Sequence, residues 1–144
     1  NGKEKELKRD EIEFYYRGSN LPEEYIILSA KLKGNLSSKE LIAIKQEELI
    51  NRKKISQPSR VKTGGSTFKN HKEKKAWELI KLSGSDKFSI GDAKISEKHS
   101  NFFINNGNAK TSDLEKLINK VKKEVSKKTG INLELEIKII GDEK

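Results

Sequence analysis

The most regular pattern in the chain lies near its C-terminal end. Ile131, Leu133, Leu135, Ile137 and Ile139 alternate with Asn132, Glu134, Glu136 and Lys138. Alternation with period two predicts a strand with one face in a core and one polar face. Before it, Leu114, Leu117, Ile118, Val121 and Val125 form one apolar stripe, which predicts a helix over 112–129. Ser112 and Glu115 have capping-box spacing at its start, and Gly130 stops it. Tyr25 to Leu32 begins as a continuous apolar run and then alternates, so a strand is expected, ended by Gly34-Asn35. Ser37 and Glu40 form another capping box. They open a helix supported by Leu41, Ile42, Ile44, Leu49 and Ile50 and running to about Lys53. Gln57-Pro58 breaks it, because proline disfavours a helical residue before it. A further helix is expected over 73–83, with Ala76, Trp77, Ile80 and Leu82 on or near its buried side and Gly84 as its stop. Short strands are expected at 88–90, 93–95 and 101–105, and a turn near Gly18-Ser19. This order of elements argues for an α+β domain, a small sheet with helices packed against it.

Composition narrows the picture. With 144 residues the chain holds one domain, or one domain and a piece of another. The hydrophobic fraction is 32% and the charged fraction 37%, so the core must be lean. There is no cysteine, hence no disulfide or thiolate chemistry. His71 and His99 are the two histidines, too few for a protein-built zinc site, and no metal is expected. No apolar run approaches the ~20 residues of a membrane helix, and no signal peptide opens the chain. The first residue is Asn1 rather than Met, which suggests a fragment or a processed product.

The net charge of +9 raises the question of nucleic acid. Of 31 basic residues, four (Arg9, Arg17, Arg52 and Arg60) are arginine and 27 are lysine. Arginine supplies the bidentate contacts that read bases and grip phosphates. The lysines are interleaved with glutamates, as solvated helix faces are. A basic nucleic-acid-binding module is the alternative reading, and a small interaction domain is a third.

The most suggestive chemistry lies in Gly64-Gly65-Ser66-Thr67-Phe68-Lys69-Asn70. Two glycines free the backbone and leave room for close approach. If residues 66–70 are extended, Ser66, Phe68 and Asn70 share one face. A hydroxyl and an amide then flank a ring, a face that could bind a polar ligand and pass it a proton. The plainer reading is a Gly-Gly turn leading into an ordinary strand. Arg52-Lys53-Lys54 suits the negative end of its helix, either as simple capping charge or to receive a phosphate.

With these motifs in view, the chain resembles the C-terminal part of the UDP-N-acetylenolpyruvoylglucosamine reductase (MurB) family. Tyr16-Arg17-Gly18-Ser19 is similar to the family's Tyr-Arg-x-Ser. Arg52 through Pro58 is similar to its basic segment before the active-site strand. Gly65-Ser66-Thr67-Phe68-Lys69-Asn70 is similar to its Gly-Ser-x-Phe-Lys-Asn signature. Ile90 to Ala93, Ser96 to His99 and Asn101-Phe102 form a third block. Glu136 to Gly141 resembles the terminal Glu-Val-Arg-x-Ile-Gly. His71 stands where the family usually has proline, a departure that bears on the following turn.

The resemblance implies a cytoplasmic bacterial flavoenzyme of peptidoglycan precursor synthesis. Such an enzyme uses NADPH and FAD to reduce the enolpyruvyl ether of UDP-N-acetylglucosamine to a lactyl ether. It implies Ser66 as proton donor to the carbanion left by hydride addition. Glu136 would sit at the substrate carboxylate, with its pKa raised or a cation beside it. Lys54, Asn70 and His99 fall at the diphosphate and uridine end, and Tyr16 and Arg17 at the rim facing the flavin domain. Residues 1–34 would be the tail of that N-terminal flavin domain and 35–144 the substrate domain. On this reading the fragment alone binds neither FAD nor NADPH and does not turn over, and it has no nucleic-acid or membrane partner.

Overall fold

The structure, a computed structural model, describes residues 2–141. It divides into two compact units between Ser37 and Ser38. In the first, β1 (Phe14–Tyr15) pairs antiparallel with β2 (Gly18–Ser19), with Phe14 opposite Ser19 and Tyr15 opposite Gly18. The hairpin is extended by Glu13 and Asn20. The Asn20 N–H donates to the Glu13 carbonyl, and the Glu13 N–H donates to Asn20 Oδ1 at 3.0 Å. Tyr16 and Arg17 form its tip. Arg17 has a φ of 61°, and its guanidinium lies over the Tyr16 ring at 5.4 Å.

The strand expected over 25–32 does not form. That stretch carries no regular structure, and Ile26 and Leu32 are 84% and 93% exposed. A strand needs a neighbour to take up its backbone groups and its apolar face, and the two-residue strands of this unit pair with each other.

The second unit begins with α1 (Lys39–Ser56). Its cap is Ser38 rather than Ser37, with Ser38 Oγ accepting the Leu41 N–H at 3.3 Å. The helix continues past Lys53 to Ser56, and Gln57 turns extended before Pro58. No residue of α1 is buried. Its apolar residues follow helical spacing only loosely, so no single stripe seats them.

A four-stranded antiparallel sheet follows, in the order β3 (Lys62–Ser66), β6 (Phe102–Asn105), β5 (Ala93–Ile95), β4 (Ser89–Ile90). Helices α2 (Ala76–Leu82) and α3 (Thr111–Thr129) supply the rest of the core. On α3, Leu117, Ile118, Val121 and Val125 are buried, as the stripe predicts. Each such side chain is worth about 1.5–3 kcal/mol on full burial. The start of α3 differs from expectation: Asp113 Oδ2 accepts the Lys110 N–H at 3.0 Å, so the helix opens one residue before Ser112. Gly130 ends it at a φ of 73°, the left-handed cap that glycine adopts without strain.

Helix α2 is shorter than the expected 73–83, and its inward face keeps Ala76 and Ile80 as expected but takes Leu79 in place of Trp77 and Leu82. Ala76, Leu79 and Ile80 are buried, at the i, i+3, i+4 spacing of one helical face. Trp77, one position off that face, is 38% exposed, and Leu82 is exposed too. The turn ahead of α2 is closed by His71, whose Nδ1 accepts the Glu73 N–H at 3.3 Å. Proline could not make that bond.

The C-terminal stretch is extended but is not a full strand. Its pairing is a single antiparallel bridge, Phe68 opposite Leu135. The Lys69 N–H donates to the Glu134 carbonyl at 2.8 Å, and the Glu136 N–H donates to the Thr67 carbonyl at 2.9 Å. Pairing stops there because residues 62–69 bulge on one side and turn toward α2 on the other. The predicted alternation still holds: Ile131, Leu133, Leu135 and Ile137 pack on the core while Asn132 and Glu134 are exposed. Ile139, expected on the core face, is exposed. No helix among the described residues is long and apolar enough to cross a membrane.

Candidate active site around Ser66

Ser66 is the last residue of β3, held from three directions. The first is a bulge. Thr63 lies opposite Ile104 and Ser66 opposite Phe102, so three steps along β3 span two along β6. Gly65 takes the extra residue at a φ of 88°, a conformation open to glycine. The Thr63 hydroxyl donates to the Phe103 carbonyl at 2.7 Å and accepts the Gly65 N–H at 3.2 Å. The second is Asn101, which is buried. Its carbonyl accepts the Thr67 N–H at 2.8 Å, its Oδ1 accepts the Phe68 N–H at 2.9 Å, and its Nδ2 donates to the Phe68 carbonyl at 2.8 Å. The third is the 134–136 stretch on the opposite edge.

These contacts change the expected face. Phe68 is buried in the core, edge-on to Phe103 at 5.7 Å and 83°. Its ring is therefore no platform for a ligand between Ser66 and Asn70. Ser66 itself is half-buried. Asn70 Oδ1 accepts the Ala76 N–H at 3.0 Å, which satisfies the first free donor of α2.

Glu136 is brought to this place from the far end of the sequence. Its N–H bond to Thr67 sets it across from the residue after Ser66, and it is half-buried. Ile137 lies over the glycine pair, 3.5 Å from where a Cβ on Gly64 would be. The two residues read as catalytic thus belong to adjacent, directly bonded segments.

His99 joins the same neighbourhood through Phe102, the residue opposite Ser66. Its ring meets Phe102 at 4.9 Å and 70°, and Trp77 at 6.5 Å and 64°. His99 Nδ1 accepts the Asn101 N–H at 3.2 Å, which leaves the proton of the neutral ring on Nε2. Burial holds its pKa below the ordinary 6.5, and the Lys81 cation adds to that, against a backbone hydrogen bond that favours the charged ring.

Lys54 lies in the exposed last turn of α1. Its carbonyl accepts from Lys98 Nζ at 2.6 Å, so Lys98 supplies the capping charge at this turn. Tyr16 and Arg17 belong to the first unit, at the tip of its hairpin. Among the described residues no group of three or more His, Cys, Asp or Glu side chains could hold a metal ion.

A profile of the family described as UDP-N-acetylenolpyruvoylglucosamine reductase, C-terminal domain, matches residues 57–140. The chain belongs to this family. It is 47% identical over 136 residues to the UDP-N-acetylenolpyruvoylglucosamine reductase of Wolbachia pipientis wMel, covering 94% of this chain and 46% of the relative. The reductase of Pelagibacter ubique is 48% identical over 143 residues, covering 97% and 47%. Among solved structures, the UDP-N-acetylenolpyruvylglucosamine reductase (MurB) of Thermus caldophilus matches with a TM-score of 0.74 at 36% identity, over 90% of this chain and 46% of that one. The chain spans about half the length of the curated relatives it matches. The α+β fold agrees with this membership, and the comparisons lend no support to a nucleic-acid module.

Family membership makes the flavin the next question for these residues. Gly64 and Gly65 lie in a strand bulge, with neighbours on both edges of residues 62–69. A dinucleotide cradle instead opens from a strand into a helix N-terminus. The glycine pair therefore does not fit the diphosphate of FAD. Thr63 carries no sequence signal of a role at the site, and Asn101 falls in a block that resembles the family without any sign that it clamps the Ser66 segment. A lone threonine ahead of two glycines and a lone asparagine at a strand start have no diagnostic spacing. Their roles exist only once β3, β6 and the bulge are in place.

Proposed function

We propose that this chain is the substrate-holding and proton-donating half of a UDP-N-acetylmuramate dehydrogenase, which reduces the enolpyruvyl ether of UDP-N-acetylglucosamine to the lactyl ether. The observation that carries the reading is the backbone bond between Glu136 and Thr67, which draws Glu136 beside Ser66. Residues 1–34 belong to the end of an N-terminal flavin domain, and 35–144 form the substrate domain. The exposed Ile26, Ile27, Leu28 and Leu32 support that division, because they offer an apolar run for a sheet neighbour outside this chain. The enzyme works in the cytoplasm, where its nucleotide-sugar substrate is made.

FAD bound by the N-terminal domain and reduced by NADPH would supply the hydride. The residues of this chain handle the charge and the proton. Hydride addition to the enolpyruvyl double bond leaves a carbanion beside the substrate carboxylate. Ser66 Oγ gives its proton to that carbon, forming the new C–H bond, and the alkoxide recovers a proton from water. Serine is a weak acid, but a carbanion is a strong base, and a fixed hydroxyl gains from proximity. Glu136 sits at the substrate carboxylate and steadies the charge spreading into it, either as the protonated acid or through a cation held between the two carboxylates. Asn70, His99 and Lys54 face the diphosphate and uridine end. Neutral His99 offers its Nε2–H as a donor there. Tyr16 and Arg17 form the rim toward the flavin domain.

The test is Ser66→Ala in the complete flavin-loaded enzyme, with each half-reaction measured separately. Flavin reduction by NADPH should keep its rate, while product formation falls by about 10²–10⁴-fold, the usual contribution of a positioned acid. Product formation at the unaltered rate would remove Ser66 as the donor.

A further inference from the structure

Where Ser66 points depends on the bulge before it, and the bulge depends on one hydroxyl. An inserted residue breaks the ladder and leaves backbone groups without partners. Here the Phe103 carbonyl on β6 faces the bulge, and the Gly65 N–H lies within it. Thr63 meets both, donating to Phe103 at 2.7 Å and accepting from Gly65 at 3.2 Å. One side-chain atom does both, which calls for the hydroxyl of a threonine or serine. Thr63 is exposed and lies outside the core, so packing does not explain it.

We propose that Thr63 is a positioning residue, whose hydroxyl locks the bulge in the one shape that aims Ser66 Oγ at its substrate carbon. The proposal rests on the reading of Ser66 as proton donor. Without the hydroxyl, the Gly65 peptide is free to rotate, since glycine has several conformations of similar energy. The Thr67–Phe68 segment, held separately by Asn101, stays in place. Ser66 is then left on a hinge between a loose residue and a fixed one.

The experiment compares Thr63→Val, Thr63→Ala and Thr63→Ser in the complete flavin-loaded enzyme, each alone and with Ser66→Ala. Valine and alanine should slow product formation by about 10–100-fold, the scale of an ångström-sized misplacement. Flavin reduction by NADPH and the KM for the nucleotide sugar should stay unchanged, since no binding group is removed. Serine should restore the rate. With Ser66 already alanine, loss of the Thr63 hydroxyl should cost nothing more. In amide exchange on the present chain, Thr63→Val should expose the Gly65 N–H while the Phe68 N–H stays protected. Unaltered product formation by the valine and alanine variants, or an equal further loss on top of Ser66→Ala, overturns the lock. So does an unchanged Gly65 amide. A Ser66→Ala single variant with unaltered product formation removes the proton-donor reading itself and is seen separately from either.

Discussion

At the scale of single residues, His99 shows how position sets chemistry. Its ring is packed between Phe102 and Trp77, and burial disfavours the imidazolium. The folded pKa is therefore below the unfolded one. Where the two differ, the unfolded chain binds more protons, so stability rises with pH. The contribution of His99 should be complete above its ordinary 6.5 and should fade as pH falls through that value toward the folded pKa. Proton NMR of the ring should give a midpoint below 6.5, and His99→Phe should flatten the urea-midpoint profile over that window. A midpoint at or above the ordinary value would mean that the ring is open to water. Ser66 makes the complementary point. On the proposed reading a serine hydroxyl gains acid function from placement alone, and the segment that carries it is bonded to Thr63, Asn101 and the Glu136 stretch.

At the scale of elements, the helix faces decide what is core. Leu79→Ala should cost about 2–5 kcal/mol, the range for truncating a buried leucine. Trp77→Ala should cost clearly less, although the side chain is larger, because Trp77 is partly exposed and off the buried face. Urea unfolding of the two variants checks the order, and a larger loss at Trp77 would contradict the observed packing. The same contrast explains what could be read from sequence. The stripe on α3 and the alternation at 131–137 were legible because each side chain's environment is set by local period. The face of α2 was legible only at Ala76 and Ile80, since Trp77 and Leu82 look as apolar as Leu79 and only the packing in the core separates them. The caps of α1 and α3 fell one and two residues from expectation, because neighbouring Ser37 and Ser38, or Asp113 and Glu115, compete for the same terminus. At the site, the small-residue motif was visible, and Ser66 and Glu136 were singled out together only through the family resemblance. The bulge and the Asn101 clamp were not, because both join residues about 30 to 40 positions apart.

At the scale of the whole molecule, well-seated and unseated surfaces coexist. The core of the second unit is closed among the sheet, α2 and α3, while the run from Ile26 to Leu32 and the apolar residues of α1 are exposed. A lean sequence does not spend large aliphatic side chains on solvent without use for them elsewhere. The chain spans about half the length of the relatives it matches, and the proposed flavin domain would supply such a use. The expected strand at 25–32 obeys the same logic: its apolar pattern was readable, but no strand among the described residues pairs with it. The net charge of +9 finds its place as lysine-rich solvated faces around that core. The central claim is that the second unit recognises the nucleotide sugar around Ser66. Its most direct test is an amide NMR titration of this chain with the enolpyruvyl ether of UDP-N-acetylglucosamine. The expected result is saturable shifts clustered at Ser66, Asn70, His99 and Glu136. Saturable shifts that map elsewhere and leave these four unmoved would contradict it.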